Sequence, residues 1–304
     1  MNAQLDLGSG ALAFAGGPTT QVFVLLGFPV AHSLSPRLHA AAFEAAGIDA
    51  VYTTFEVAPA DLDRTLGALR LRMEEGRVGG ANVTVPHKRA TLPKLDALLP
   101  AARLAGAVNT IVPRRDVPGG RLQLEGANTD VAGLVAALDD LGSGLAGARV
   151  LVLGAGGMAR AAVAAALEQG AGEIRVASRD PLAAQDLLDD VAGRWRGRVP
   201  PVACTELAGA GAWLGHADVL VQATSLGRAP DDPLPVALES APAELVVLDA
   251  VYAPGTTALV RAARARGLRA ADGRGLLLHQ GAAAFELWTG GAAPLEPMRQ
   301  ALAD

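Results

Sequence analysis

Lysine is nearly absent from this chain. Twenty-four arginines hold the other cationic positions, and only Lys88 and Lys94 are lysines. A sequence that writes Arg wherever a plain surface cation will do has kept Lys at 88. The two differ in that an ammonium gives up its proton when its surroundings favour the neutral form, whereas a guanidinium does not. Asparagine, which sets a donor and an acceptor on a short arm, is also scarce. There are four, Asn2, Asn82, Asn109 and Asn128, and the last three share residues 82–128 with Lys88.

A second constellation lies at 150–160. Val150-Leu-Val-Leu leads into Gly154-Ala155-Gly156-Gly157-Met158-Ala159, and an Ala-rich periodic stretch follows. This is strand, glycine turn, helix. Gly154 permits the tight turn, Gly156 lets a pyrophosphate approach the backbone, and the small Ala159 lets helix and strand pack closely. The helix start then offers N–H groups and a positive dipole end to phosphates. The next strand ends Val176-Ala-Ser178-Arg179. A site for NAD would place Asp or Glu there for the ribose hydroxyl. Arg179 instead suits a 2′-phosphate, which favours NADP. Asp180, directly after it, opposes that preference.

The elements that must position these groups are legible in outline. Val22–Gly27 reads as an apolar strand. Ser35-Pro36 reads as an N-cap with Pro at the first helical position, opening a helix over Arg37–Ala46 that Gly47 stops. Strands follow at Tyr52–Val57 and Gly79–Val85, with a helix over Ala60–Glu75 between them. Asn82 and Thr84 alternate and so share one strand face. Pro86 reads as a further helix start, which would put Lys88 in a first turn where the dipole lowers its pKa. Ala107–Val112 and Arg121–Glu125 read as two strands joined by a Pro/Gly turn, and Asn128-Thr129-Asp130 as the cap of a helix running to Leu141.

The second half alternates more regularly. Strands are expected at Arg149–Leu153, Glu173–Ser178, Val219–Gln222 and Leu245–Leu248. Helices are expected at Met158–Glu168, Pro181–Ala192 and Thr256–Arg266, and two more close the chain at Leu276–Thr289 and Leu295–Ala303. Such alternation implies a parallel sheet with right-handed crossovers. The fold class is therefore α/β in two domains.

Composition narrows the function classes. The chain has 304 residues, 51% of them hydrophobic, and a formal net charge of −5 without like-charge runs. That argues against a nucleic-acid binder. Apolar stretches are too short and broken to span a bilayer. No basic n-region suggests a secretory signal, and the single Cys204 excludes a disulfide framework. A cytoplasmic two-domain enzyme without a metal centre is the expectation.

Four segments of the first half are dense in small polar groups. Gly27–Pro36 carries Ser33 and Ser35, and Gly80–Lys88 carries Asn82 and Thr84. Ala105–Thr110 carries Asn109, and Gly126–Asp130 ends in Asn128-Thr129-Asp130. With the 154–159 loop, Asp249-Ala-Val-Tyr252-Ala-Pro and Gly273-Arg-Gly-Leu-Leu-Leu-His-Gln280, they make seven ordered motifs. In these the chain resembles the shikimate dehydrogenase family over residues 22–303. The resemblance implies a substrate domain over 21–129 after a tail at 1–20, a Rossmann NADP domain over 130–275, and C-terminal helices over 276–304 packing back on the first domain. It implies reversible reduction of 3-dehydroshikimate to shikimate by NADPH, in a monomer or homodimer.

By the same resemblance Ser33, Ser35, Asn82, Thr84, Asn109, Tyr252 and Gln280 contact substrate. Lys88 and Asp130 form the catalytic pair. Ser178, Arg179, Thr224 and Gly273 join the 154–159 loop around the cofactor. Such a substrate, a small ring with oxygen substituents and a carboxylate, calls for short polar side chains rather than a deep apolar pocket. Some positions depart from the family. Ser178 stands for a commoner Asn, Asp180 for Thr, Ala183 for a second basic residue, Gln222 for Asn and Leu276 for Met. An NADP preference smaller than a two-cation site gives is therefore expected. Two alternatives are a quinate/shikimate dehydrogenase with broader substrate or NAD use, against which Ser35 in place of Thr argues, and a non-catalytic ligand-binding homologue, against which Lys88 and Asp130 argue.

Overall fold

A computed structural model describes residues 19–115, 120–229 and 232–303. The expected tail falls outside these residues except for Thr19 and Thr20, and so does the core of the expected Pro/Gly turn, residues 116–119. The first elements are β1 (Gln21–Gly27), α1 (Ser35–Ala45), β2 (Ala50–Glu56), α2 (Leu62–Glu74) and β3 (Val78–Val83). After them come β4 (Ala97–Leu98), α3 (Pro100–Ala105), β5 (Thr110–Arg114), β6 (Gln123–Ala127) and α4 (Thr129–Asp139). The chain continues through β7 (Arg149–Leu153), α5 (Gly157–Glu168), β8 (Glu173–Ser178), α6 (Pro181–Arg194), β9 (Val202–Glu206) and α7 (Ala210–Leu214). It ends in β10 (Val219–Gln222), β11 (Val246–Asp249), α8 (Ala258–Ala265), β12 (Arg269–Ala271), α9 (Gly273–Thr289) and α10 (Leu295–Leu302).

These elements form two compact units. Among the described residues one holds 19–103, 107–115, 120–129 and Gly281–Ala303; the other holds Leu104–Gly106, 130–229 and 232–280.

The first unit is built on a six-stranded sheet in the order β2-β1-β3-β5-β6-β4. β1 runs parallel to both β2 and β3, whereas β5 is antiparallel to β3 and to β6. The two strands expected to be joined by a Pro/Gly turn are β5 and β6, and they pair antiparallel, which makes this sheet mixed. β1 is buried on both faces. Val22, Val24 and Leu26 pack with Leu62, Leu66, Leu69 and Met73 of α2. On the other face Phe23 stacks on Phe43 of α1 at 4.7 Å and lies 4.9 Å from Trp288 of α9. Gly80 makes room for that indole, since a Cβ there would fall 2.2 Å from Trp288 Nε1. The indole N–H donates to the Ile111 carbonyl, and α10 packs along α1.

Three local expectations are corrected here. Ser35 is the first residue of α1 and not its cap. Leu34 holds the cap position without a side-chain bond, and the Ser33 hydroxyl accepts from the Ser35 N–H instead. Asn128 does not cap α4. Its amide donates to the Ala107 carbonyl, and the Thr129 N–H at the start of α4 donates to Asn109 Oδ1. No helix starts at Pro86: residues 85–91 form successive turns ahead of a short 3-10 segment at Leu92–Lys94. Lys88 therefore has no helix dipole beneath it. The turns form because backbone bonds skip only three or four residues, His87 N–H to Thr84 O and Thr91 N–H to His87 O, without propagating.

The second unit is a fully parallel sheet in the order β9-β8-β7-β10-β11-β12. In chain order within the unit this is 3-2-1-4-5-6, the doubly wound dinucleotide-binding arrangement. β7, β10 and β11 are almost wholly buried, as strands covered on both faces are. Its α5 is seated by a run of alanines from Ala159 to Ala166 that lets helix and sheet approach closely. Among the described residues no helix is long and apolar enough to cross a membrane.

Candidate active site

The polar residues of the first unit converge through hydrogen bonds rather than through sequence proximity. Asn82, on β3, is 5% exposed. Its Nδ2 donates to the Asn109 carbonyl at 3.1 Å and to Thr110 Oγ1 at 3.0 Å. A carbonyl only accepts, so this fixes which way the amide points. Its Oδ1 accepts from the Tyr52 hydroxyl at 2.7 Å. Asn109 continues the network: its Oδ1 takes the Thr110 hydroxyl at 3.0 Å and the Thr129 N–H at 2.7 Å, and its Nδ2 donates to Thr129 Oγ1 at 2.9 Å. Each member is buried and satisfied by the next, the condition under which a buried polar network rigidifies a fold.

Thr84 and Lys88 lie at the edge of this network, both half-buried. The Thr84 N–H donates to Leu26 O, and the Lys88 carbonyl accepts from Val108 N–H. Between them His87 is buried and its Nε2 lies 2.6 Å from the Val57 carbonyl. That carbonyl can only accept, so Nε2 carries the proton and donates. The loop that presents Lys88 is thus pinned on both sides of it. Ser33 and Ser35 sit at the start of α1, Ser33 half-buried and Ser35 buried.

Asp130, Tyr252 and Gln280 belong to the second unit. Asp130 is buried in the first turn of α4. Gln280 Nε2 donates to the Leu277 carbonyl, and α9 passes so close to α4 there that a Cβ on Gly133 would fall 2.8 Å from Gln280. Tyr252 is half-buried in the loop after β11.

That loop is held by Asp249, at the end of β11. The Asp249 carboxylate accepts from Val251 N–H at 3.0 Å and from the Thr257 hydroxyl at 2.7 Å. Thr257 in turn caps α8. Burial pushes Asp249 up from its ordinary 3.8 to about 6; the bonds from Thr257 and Val251 oppose this and the nearby charge of Asp272 adds to it. The sequence places Asp249 in a motif but gives no sign of this bracing task.

A nucleotide cradle forms where the strand order reverses, at the carboxyl ends of β7 and β10. Gly154 has φ +110° and a Cβ there would lie 2.9 Å from the Ala223 carbonyl oxygen, so no other residue fits. Gly156 precedes α5 in extended backbone with nothing within 4 Å of where a Cβ would be. The open backbone at Gly156, ahead of helix N–H groups without intrahelical partners, suits a pyrophosphate. Ala159 is fully buried where α5 meets the sheet. The next residue, Arg160, ties the helix to α6 through Asp190 at 2.6 Å.

At the end of β8 Ser178 is buried and its hydroxyl accepts from Asp180 N–H, while Arg179 is exposed. The Asp180 carboxylate turns back on its own helix: it caps α6, accepting from Leu182 and Ala183 N–H at 3.0 and 3.3 Å. Gln222, completely buried, braces the turn that follows. Its Oε1 accepts from Thr224 N–H at 2.6 Å and its Nε2 donates to Leu226 O at 2.8 Å. Gly273 lies against this region, its N–H donating to Val251 O and its Cα so near Ala250 O that a Cβ would stand 2.4 Å away.

The arrangement offers a dinucleotide site with one strand-end cation and, separately, a buried polar network beside a lysine. Residues 25–111 match the family described as shikimate dehydrogenase substrate binding domain. Residues 136–229 match shikimate / quinate 5-dehydrogenase, and 273–303 the shikimate 5′-dehydrogenase C-terminal domain. A shikimate dehydrogenase (NADP(+)) of Rubrobacter xylanophilus is 43% identical over 287 residues, 93% of this chain and 95% of its own. Among solved structures, the shikimate dehydrogenase of Aquifex aeolicus superposes with a TM-score of 0.82 at 31% identity, over 95% of this chain and 99% of its own. The shikimate 5-dehydrogenase of Thermus thermophilus, solved with NADP(H) and shikimate, does so with a TM-score of 0.75 at 36% identity, over 93% and 98%.

Proposed function

The chain belongs to the shikimate dehydrogenase family, and from that premise we infer that it reduces 3-dehydroshikimate to shikimate with NADPH, reversibly. The observation that carries the cofactor half is the cradle at the switch point: a turn only Gly154 can make, an open Gly156, and Arg179 at the end of β8. Bound there, NADPH supplies a hydride to the carbonyl carbon. The protein's part is to hold the ring and to move the proton that the carbonyl oxygen takes up as it becomes a hydroxyl.

Lys88 and Asp130 are assigned that proton. The lysine stands on a pinned loop, and a Lys–Asp pair can deliver the proton in one direction of the reaction and remove it in the other. Ser33, Ser35, Asn82, Thr84 and Asn109, with Tyr252 and Gln280, are assigned to the substrate's carboxylate and hydroxyls. Supporting this, the side chains of the first-unit set are short and polar, and Asn82 and Asn109 are locked by their neighbours, as a site for a small, oxygen-rich ring requires. Residues 21–129 with the C-terminal helices serve the substrate and 130–275 the cofactor, in a cytoplasmic monomer or homodimer that takes no nucleic acid.

The test is reduction of NADP and of NAD by shikimate and by quinate, followed by absorbance of the reduced nucleotide. NADP with shikimate should give the highest kcat/KM of the four combinations. No turnover with shikimate, or a higher kcat/KM for quinate, would overturn the reading.

A further inference from the structure

We propose that Tyr52 is a positioning residue for the substrate site, its phenol fixing the side chain of Asn82. The proposal rests on the assignment of Asn82 to substrate made above. Asn82 lies in β3, and β1 separates β3 from the strand that carries Tyr52. The Tyr52 hydroxyl reaches across it and donates to Asn82 Oδ1 at 2.7 Å. The orientation of the Asn82 amide leaves no other arrangement, since its Nδ2 is committed to the Asn109 carbonyl and Thr110. The phenol must therefore give its one proton to Asn82.

The ring that carries this hydroxyl is itself immobilised. It stacks on His39 with centroids 4.4 Å apart and planes at 12°, with Trp288 at 6.4 Å. His39 lies one helical turn after Ser35, on the same face of α1. It is fully buried, and neither ring nitrogen has a hydrogen-bond partner among the described residues. Burial lowers it to about 3, so it is a neutral, flat surface against which the phenol lies. Burial also pushes the Tyr52 phenol upward, which keeps it a proton donor at any working pH. A buried aromatic pair could be packing alone. What sets this one apart is that the single polar atom of the tyrosine side chain ends on an assigned substrate residue, Asn82.

The test is Tyr52→Phe, which keeps the ring and its stacking and removes only the hydroxyl. The KM for shikimate should rise about two- to thirteenfold, as expected when one net hydrogen bond's worth of positioning is lost. The KM for NADP should stay within about twofold, and kcat should change less than the shikimate KM. Tyr52→Phe combined with Asn82→Ala should raise the shikimate KM little beyond Asn82→Ala alone, because the two act on one contact. A packing role alone would lower the melting temperature and leave shikimate KM unchanged. An unchanged KM in Tyr52→Phe, beside raised values in Ser35→Ala and Asn82→Ala, would overturn the proposal and leave the site assignment standing. Unchanged values in all three variants would overturn the site assignment and the proposal with it.

Discussion

Replacing Asp249 by asparagine should change how the stability of this protein depends on pH. In the folded chain the carboxyl is shifted from 3.8 to about 6, chiefly by burial. A carboxyl with a raised folded value binds its proton more tightly in the folded chain than in the unfolded one, so protonation favours folding. Below about pH 4 the group is neutral in both states. Between about pH 4 and 6 the unfolded chain ionises first and stability is lost. Above about pH 6 both states are charged and the loss is constant. Two pKa units at 1.36 kcal/mol each give about 2–3 kcal/mol. The amide of the Asp249→Asn variant carries no such cost, and its oxygen could still take the Val251 N–H. The assay is equilibrium urea unfolding of parent and variant at a series of pH values, because the difference between the two curves cancels every other titrating group. The advantage of the variant should grow by about 2–3 kcal/mol between pH 4 and 7. Parallel curves, or a difference that shrinks over that window, would refute the reasoning.

Lys88→Ala should lower kcat by about 10²–10⁴ with cofactor binding retained, the usual range for a lost general acid–base group, and Lys88→Arg should do nearly as badly; near-normal turnover would remove Lys88 from the mechanism. Ser33→Ala should raise the KM for shikimate more than it lowers kcat, since a carboxylate contact far from the reacting carbon stabilises ground and transition states alike; kinetics showing the reverse pattern would reject the placement. Arg179→Ala should weaken NADP strongly and NAD little, and Asp180→Thr should sharpen the NADP preference while preserving the α6 cap, whereas Asp180→Ala should cost about 1 kcal/mol in thermal or urea unfolding. Equal effects of Arg179→Ala on kcat/KM for both cofactors would show that this arginine does not read the 2′-phosphate.

The pair Ser35-Pro36 and Asp180-Pro181 shows how far sequence alone reaches. Both carry a capping residue before a helix-opening proline. Asp180 does cap α6, but Ser35 is drawn into α1 as its first residue and its N–H donates to the Ser33 hydroxyl. The helix's own sequence decides the first case, and the course of the loop before it decides the second. Strands with apolar runs between glycine stops, such as β1, β7 and β10, are legible because burial on both faces writes an unbroken apolar pattern. β9, whose residues are exposed or half-buried, and the two- and three-residue β4 and β12 leave no such pattern. The glycine turn at 154–159 is readable because its geometry demands glycine. The roles of Tyr52 and His39 are not, because they depend on partners from three different elements, although a chain with only two tyrosines offers a cue of the same kind as its two lysines.

The seat of Trp288 over Gly80 bears on how the chain is made. The first unit contains β1 but needs Gly281–Ala303 to finish, and those residues are made only after the whole of residues 130–280. Residues 130–280 are synthesised in between and contain all but three residues of the second unit's described portion. Domains fold as units during synthesis, so the parallel sheet is the first that can close upon itself. Until then the aromatic face of β1 and α1, where Phe23 and Phe43 stack, has no indole above it and no α10 beside it. The nascent protein therefore carries an uncovered apolar surface for as long as the residues up to 280 take to translate, and Gly281–Ala303 are what end its exposure to chaperones and to aggregation.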